Sequence, residues 1–232
     1  MKLSLQGKIF LICNEGIALS PYLDSVGVKT LAIGATVTEL PDIASMPWDH
    51  TITLQEALDL LDVSLKRYED AVNTVLSVAI TQNQFDSLVS LCYNIGTGHV
   101  SSRVGGIAGS TVIKRINSGE PASSISQAIL MWNKPPEIIP RRTREAKLYT
   151  NGFYGKTRAS LIYVDPATHK EQPSKSKIID LAVLLQQPEP TPETPTDVQP
   201  VVVTPAPEPT PSQVTPSALD VLVGWVKEHW LI

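Results

Sequence analysis

The sequence predicts a mainly α (α+β) body with one small β-hairpin, followed by a Pro-rich segment and a last helix. Three observations lead to this prediction. Apolar residues recur at helical spacing along most of residues 1–157, a single stretch near residue 25 has the pattern of a hairpin, and ten of the nineteen prolines lie within residues 186–217. We therefore divide the chain into a folded body (1–157), an extension with a short strand and helix (158–185), a Pro-rich disordered linker (186–217) and an amphipathic helix (218–232).

The body begins with a helix and the hairpin. Apolar residues at helical spacing from Leu3 to Cys13 predict the helix, and Gly16 is the residue type that commonly ends one, so Glu15 is expected at its carboxyl end. The hairpin is predicted from Tyr22-Leu-Asp24, a turn at residues 25–27 and the apolar run 28–33. Glu15 and Asp24 therefore fall on adjoining elements.

The rest of the body is predicted to be helical. Thr53 and Glu56 form a capping box that starts one helix, which runs to about Val63 and is followed by a second apolar run to Leu76. Residues 84–94 form the most apolar helix, which we expect at the centre of the body. Further helices are predicted at 110–117, 121–132 and 142–149, a strand at 161–164 and a short helix at 176–187.

Charge and apolar pattern argue against several classes of protein. The formal charge is −4, but the acids of residues 186–232 outnumber its one lysine by five, which leaves residues 1–185 at +1. Nucleic acid is therefore not an expected partner. The start does not have the pattern of a signal peptide, and no stretch approaches the roughly 18 apolar residues of a spanning helix. We therefore expect that the chain is made in the cytoplasm and that it depends on a separate export route to reach any target beyond the membrane.

The cysteines and histidines do not predict a metal site. Cys13 and Cys92 lie within apolar helical patterns, and the four histidines are scattered along the chain. We interpret both cysteines as buried thiols, and a disulfide between them stays an open alternative. We expect no metal and no cofactor.

Two carboxyl residues in unlike settings suggest hydrolysis of a glycosidic bond, which needs an acid for the leaving oxygen and a carboxylate on the other face of the sugar. Glu15, at a helix end beside Ile12 and Ile17, is expected to hold a proton near neutral pH. Asp24, in a hydrogen-bonding turn, is expected to be ionised, and Thr30 on the opposite strand is placed to hold a water molecule with it. Taken alone, these residues would be a solvated helix end, a turn former and a strand residue.

The spacing of these residues resembles the catalytic pattern of phage-type lysozymes, the endolysins of glycoside hydrolase family 24. Eight residues separate Glu15 from Asp24, and five separate Asp24 from Thr30. Five blocks fall in the order and spacing of that family, and the similarity covers about residues 8–155. The blocks are NEG (14–16), YLDSVGVKT (22–30), QFDSLVSLCYNIG (84–96), STVIKRINSG (110–119) and RRTREA (141–146).

The resemblance implies a two-lobed lysozyme-like fold with a saccharide cleft between a small hairpin lobe and a helical lobe. It implies a muramidase that cleaves the β-1,4 bond between N-acetylmuramic acid and N-acetylglucosamine in bacterial peptidoglycan. Glu15 would be the acid, and Asp24 and Thr30 would position water. Inversion at the anomeric carbon is implied by analogy, although the separation of the two carboxyl groups is what decides this.

The resemblance also implies supporting residues. Arg142 matches the family's position for an arginine facing the catalytic glutamate, with Arg141 and Arg144 as rivals. Tyr93 and Asn94 are candidate sugar contacts, because an aromatic face stacks on a sugar and an amide reaches its hydroxyl or acetamide groups.

One block departs from the family pattern. The family usually continues Thr-x-Gly-x-Gly-His-Thr, whereas this chain has Ala32 in place of the first glycine and Ala35 in place of the histidine. Neither residue carries the acid or the groups that would hold water. We expect altered packing under the hairpin or a modest change in activity.

The implied biological role is that of an endolysin. It would be made in the host cytoplasm, released to the periplasm and cell wall with the help of a separate holin-type protein, and would lyse the host. A virion-associated lysozyme is a close variant, and a non-catalytic wall-binding module is an alternative of another class. A lytic transglycosylase is disfavoured because that chemistry needs no second carboxylate.

The last helix has an apolar stripe at helical spacing. Its members are Leu219, Leu222, Val223, Val226 and Trp230. We favour docking on the body or self-association over membrane contact, because membrane-active helices are usually rich in lysine and this one has only Lys227.

Overall fold

The computed structural model describes residues 1–186, so the predicted Pro-rich linker and the last helix lie outside the described residues. Helix α1 (Leu5–Glu15) opens the fold, and the side chain of Ser4 caps its start by accepting a hydrogen bond from the Gly7 amide. Gly16 ends it with φ 77° and donates its amide to the Ile12 carbonyl. The prediction that Glu15 closes the first helix is confirmed.

A hairpin follows directly. Strand β1 (Ile17–Leu23) pairs antiparallel with β2 (Lys29–Ala32), with Tyr22 opposite Thr30 and Leu23 opposite Lys29. The turn contains Gly27 at φ 82°, a conformation that glycine adopts without steric cost. The predicted hairpin is therefore confirmed, with its first strand longer than expected.

Five further helices make up the bulk of the body. They are α2 (Leu54–Val75), α3 (Gln82–Ile95), α4 (Thr111–Asn117), α5 (Ala122–Leu130) and α6 (Ile139–Asn151). The predicted capping box of Thr53 and Glu56 starts α2. The two apolar runs expected there form one helix, because neither glycine nor proline interrupts the chain between them. The mainly α (α+β) class is confirmed.

Helix α3 lies at the centre, as predicted. All its residues from Phe85 to Cys92 are buried, and it packs against α1, α2 and α6. Its buried polar residues have partners: Ser87 donates to the Glu145 carbonyl, and Ser90 donates to the Glu145 carboxylate, both at 2.8 Å. The centre of the body therefore includes a polar seam between α3 and α6.

Two strands after α6 enlarge the sheet. Strand β3 (Arg158–Ile162) pairs parallel with β1, and β4 (Lys177–Asp180) pairs antiparallel with β3, which gives the order β2-β1-β3-β4. The prediction of a helix at 176–187 was wrong at its start, since residues 177–180 are a strand and a 3-10 turn follows at Leu181–Gln186. A short apolar run does not distinguish the two structures without knowledge of its pairing partner.

Both cysteines are free thiols. Burial raises the pKa of Cys92 to about 12 and that of the half-buried Cys13 to about 11, so both stay protonated near neutral pH. The expected burial is thus confirmed for Cys92 and only partial for Cys13. Within residues 1–186, no helix combines the length and apolar content to cross a membrane, and no group of side chains is arranged to hold a metal ion.

Candidate active site

A cleft of about 350 Å³ opens where the end of α1, the hairpin and the carboxyl end of α3 meet. Four of the predicted site residues lie on it: Glu15, Asp24, Tyr93 and Asn94. Its full lining is Glu15, Asp24, Gly34, Thr36, Thr38, Glu39, Arg67, Tyr68, Tyr93 and Asn94. The lining is rich in groups that can hydrogen-bond to a polar ligand such as a sugar chain.

Glu15 is held at the cleft by an ion pair. Its Oε1 lies 2.7 Å from Nη2 of Arg141, and the glutamate side chain is 19% exposed. The charged contact of Glu15 is therefore Arg141, in addition to the apolar neighbours Ile12 and Ile17 expected from the sequence.

Asp24 is fixed by its own turn. Its Oδ1 accepts hydrogen bonds from the amides of Val26 at 2.9 Å and Val28 at 2.8 Å, while its own amide donates to the Val28 carbonyl. This arrangement leaves Oδ2 without a bond to the turn. Asp24 therefore directs one carboxylate oxygen into its turn and has the other available at the cleft.

Thr30 lies beneath the cleft and is not part of its lining. It is 3% exposed, and its hydroxyl donates to the Val28 carbonyl at 3.1 Å. It faces Tyr22 across the hairpin. In this geometry the hydroxyl hydrogen supports the turn that carries Asp24, so only the lone pairs of the hydroxyl oxygen are free for water.

The arginine that faces Glu15 is Arg141, and the prediction of Arg142 was wrong. Arg142 lies one residue further along α6, which turns its side chain about 100° around the helix axis. It donates to the carbonyl of Trp132 at 3.0 Å and to the side chains of Glu145 and Asn94. Arg144, the other rival, donates to Oδ1 of Asn14 at 2.7 and 2.9 Å.

Glu145 joins the two buried arginines, a role that is not predicted from the sequence. Its side chain is fully buried; Oε1 accepts from Nε of Arg141 at 3.0 Å, and Oε2 accepts from Arg142. Burial opposes the charge of Arg141, but Glu15 and Glu145 more than offset this and raise the pKa of its guanidinium. The spacing of Glu145 from the arginines, three and four residues along one helix, is the signal that could have identified the network.

Tyr93 and Asn94 lie on the cleft as predicted, each with its polar group already bound. The Tyr93 hydroxyl donates to the Ile33 carbonyl at 2.6 Å, and burial, then the charge of Glu15, raise the pKa of Tyr93 well above its usual value. Oδ1 of Asn94 accepts from Arg142. The amide nitrogen of Asn94 is thereby oriented as a donor.

The opposite wall of the cleft was not predicted from the sequence. Glu39 accepts hydrogen bonds from the Thr36 amide and hydroxyl at 3.1 and 2.9 Å and from the Tyr68 hydroxyl at 3.2 Å. Arg67 pairs with the same carboxylate at 2.8 Å. The ring of Tyr68 lies 4.6 Å from that of Tyr93, centre to centre. These contacts join α2 to the segment after the hairpin, a pairing that no local sequence signal indicates.

The two alanines that depart from the family pattern lie behind the cleft. Ala32 has φ 57°, in the region that glycine adopts most readily, and both Ala32 and Ala35 are buried. Gly34, with φ 77°, lies on the cleft itself, where an added Cβ would be 3.8 Å from Oε2 of Glu15. The backbone therefore keeps the glycine-type conformation at residue 32 although the residue there is alanine.

Comparison with known proteins gives consistent matches. A family model described as phage lysozyme matches residues 13–145. The endolysin of Salmonella phage P22 is 35% identical over 153 residues, which covers 64% of this chain and 98% of that protein.

Two solved structures are similar over much the same share of the chain. The endolysin from Escherichia coli O157:H7 phage FAHEc1 superposes with a TM-score of 0.59 at 32% identity, covering 67% of this chain and 98% of that one. The muramidase domain of SpmX from Asticaccaulis excentricus has a TM-score of 0.53 at 28% identity, covering 64% and 97%. The described strands β3 and β4 lie after the last residue of the family match.

Proposed function

The chain belongs to the phage lysozyme family and is a peptidoglycan hydrolase, and from that premise we propose that it cleaves the β-1,4 bond between N-acetylmuramic acid and N-acetylglucosamine with Glu15 as general acid. The observation that carries this assignment is that Glu15 and Asp24 line one cleft, with Glu15 paired to Arg141 and Asp24 hydrogen-bonded to its turn. Hydrolysis of a glycosidic bond needs two such carboxyl groups flanking the sugar.

In the proposed reaction, Glu15 protonates the leaving oxygen and the free Oδ2 of Asp24 holds the attacking water, with Thr30 supporting the turn. Arg141 holds the carboxyl group of Glu15 in place, and Glu145 contacts the same guanidinium.

The sugar contacts follow from the groups that stay free on the cleft. The Asn94 amide nitrogen is a donor for the carbonyl oxygen of an acetamido group, since Arg142 holds its oxygen. The Tyr93 ring lies beside it as an apolar surface. Arg142 thus takes the role of a residue that positions Asn94, in place of the contact with Glu15 expected for it.

The matched relatives are named endolysins, which supports a role in lysis of a bacterial host. We propose that the protein acts on the cell wall after release from the cytoplasm by a separate membrane-permeabilising protein. A virion-associated lysozyme would have the same cleft, and detection of the chain in purified particles would favour that variant.

Glu15→Gln tests the catalytic assignment. General acid catalysis contributes roughly 10²–10⁴-fold, so we expect this variant to clear suspensions of purified peptidoglycan at least a hundredfold more slowly than the wild type. Glu137→Gln, an exposed residue outside the cleft, is the matched control and should be unaffected.

The same digests identify the reaction. Reducing N-acetylmuramic acid ends are expected, and anhydro ends would point to a transglycosylase. An active Glu15→Gln variant would contradict the acid assignment. An inactive wild type that still binds the wall would favour the non-catalytic module.

A further inference from the structure

The backbone beside Asp24 belongs to a closed ring of four contacts. The carbonyl of His169 accepts a hydrogen bond from the Leu23 amide at 2.7 Å, and Leu23 lies opposite Lys29 in the hairpin. Nζ of Lys29 lies 4.3 Å from the centre of the Trp48 ring. The aromatic ring of Trp48 stacks on that of His169, with ring centres 4.3 Å apart and an angle of 8° between the planes. This stacking is the fourth contact and completes the cycle.

The backbone of the loop that contains His169 is fixed by hydrogen bonds within the loop. His169 has φ 55°, a conformation uncommon for residues other than glycine, and its amide donates to the Asp165 carbonyl at 2.8 Å. The Asp165 carboxylate accepts from the amides of Ala167 at 3.0 Å and Thr168 at 2.9 Å, and from the side chain of Gln172 at 2.8 Å. The loop between β3 and β4 therefore has a fixed shape of its own.

The strands on either side attach this loop to the hairpin. Strand β3 pairs with β1 at Ile17 and Ala18, while the loop contacts β1 at its far end through Leu23. Contacts at both ends of β1 restrict its rotation relative to the helices. These strands follow residue 145, so they lie beyond the part of the chain that the family model matches.

We propose that residues 158–180 act as a brace that positions the Asp24 turn, with His169 and Trp48 as positioning residues for Asp24. This inference rests on the proposed function, in which Asp24 holds the attacking water. The turn orients the carboxylate through the Val26 and Val28 amides, but the Leu23 amide links that turn to the brace. Small displacements of a catalytic group can cost a hundredfold in rate.

Four variants of the full chain test the brace. Trp48→Ala removes the stacked ring, and Trp48→Phe restores an aromatic face. His169→Asn removes the imidazole and keeps a residue type that tolerates positive φ. Tyr163→Ala is the matched control. Tyr163 lies in the same segment and also has a lysine near its aromatic ring, at 5.1 Å, but its side chain takes no part in the four contacts around Leu23.

Amide exchange and steady-state kinetics give separate readouts. In Trp48→Ala and His169→Asn we expect the amide hydrogens of Leu23 and Val28 to exchange at least tenfold faster than in the wild type. The exchange rates of the α3 amides should be unchanged. We also expect a fall in kcat of at least fivefold with KM within twofold. Trp48→Phe should approach the wild type, and Tyr163→Ala should match it.

Unchanged exchange at Leu23 in both variants would overturn the brace, whatever their activity. Faster exchange with unchanged kcat would show that the brace does not position Asp24, which also overturns the proposal. Asp24→Asn separates the two proposals: if it is fully active, the role of Asp24 fails, whereas the exchange measurements still decide whether the brace exists.

Discussion

Arg141 is the residue on which the charge balance of the cleft depends. Its guanidinium contacts Glu15 at 2.7 Å and Glu145 at 3.0 Å, and it also donates to the Ser90 carbonyl at 3.1 Å. The side chain is 6% exposed. Loss of one member of a buried ion network leaves the others unpaired in a medium that solvates charge poorly. Glu15, the proposed acid, and the interior of the helical body are therefore linked through one side chain.

Arg141→Lys tests whether the contacts of Arg141 need the shape of its guanidinium as well as its positive charge. A lysine keeps the charge but has one nitrogen, which cannot reach both carboxylates as the fork of an arginine does. We expect kcat to fall at least tenfold and the free energy of unfolding to fall by about 2 kcal/mol, measured by wall clearing and by denaturant unfolding. Arg144→Lys, an exposed residue of the same helix, is the control. Equal behaviour of the two variants would contradict this role for Arg141.

The positions of Glu15 and Asp24 could be predicted from sequence, but the choice among the arginines could not. A helix end and a hairpin turn are local features, so chain spacing alone brings the two acids near each other. Which of Arg141, Arg142 and Arg144 faces Glu15 depends on how α6 is rotated about its axis. That rotation is set by packing against α3, and it is not visible in the sequence of α6.

At the level of elements, strand β2 ends at Ala32 in a left-handed backbone conformation that glycine adopts more readily than alanine. Ala32 has φ 57° and is 1% exposed, so its methyl group gains burial while its backbone is strained. A left-handed conformation costs an L-residue roughly 1–2 kcal/mol. The buried methyl group recovers about 0.8 kcal/mol. The methyl group thus offsets about half of this cost, which explains how the hairpin tolerates alanine here.

A pair of Ala→Gly substitutions tests this balance. Ala32→Gly should change the free energy of unfolding by less than about 1 kcal/mol, because relief of strain offsets the lost methyl group. Ala128→Gly, at an equally buried position in the interior of α5, should lower it by about 2 kcal/mol. Thermal unfolding of both variants measures the difference. A large loss in Ala32→Gly would show that residue 32 is not strained.

Helices were predicted better than strands. The Thr53–Glu56 capping box marked the start of α2, because a cap is a pattern within four residues. A similar box of Thr81 and Gln84 starts α3 two residues before the expected position. The helix predicted over residues of β4 was wrong, since the pairing of β4 with β3 involves residues that local periodicity does not identify.

At the scale of the whole molecule, the parallel pair of β1 and β3 joins the two ends of the described chain. It brings Ile17 beside Leu161 across five intervening helices. Such a pairing has no local signal, so the sequence predicts residues 158–185 only as an extension. In the structure this segment covers the β1 edge, which would otherwise expose unpaired backbone groups.

Truncation tests this contribution. A chain ending at Lys156 should lose at least about 2 kcal/mol of unfolding free energy, since it removes the buried Leu181 and exposes the β1 edge. It should also clear walls more slowly than a chain ending at Gln186, which keeps all four strands and serves as the control. Denaturant unfolding and clearing rates measure the two effects. Equal stability of the two chains would contradict a structural contribution of β3 and β4.

Adjacent residues of α6 contact two residues of the cleft. Arg141 pairs with Glu15, the proposed acid, Arg142 donates to Asn94, the proposed acetamido contact, and both arginines pair with Glu145 about one turn away. One helix thus contributes to the positions of both groups, because its residues 141 and 142 have a fixed spacing. Under the proposed function, a shift of α6 would therefore displace the acid and the acetamido contact together.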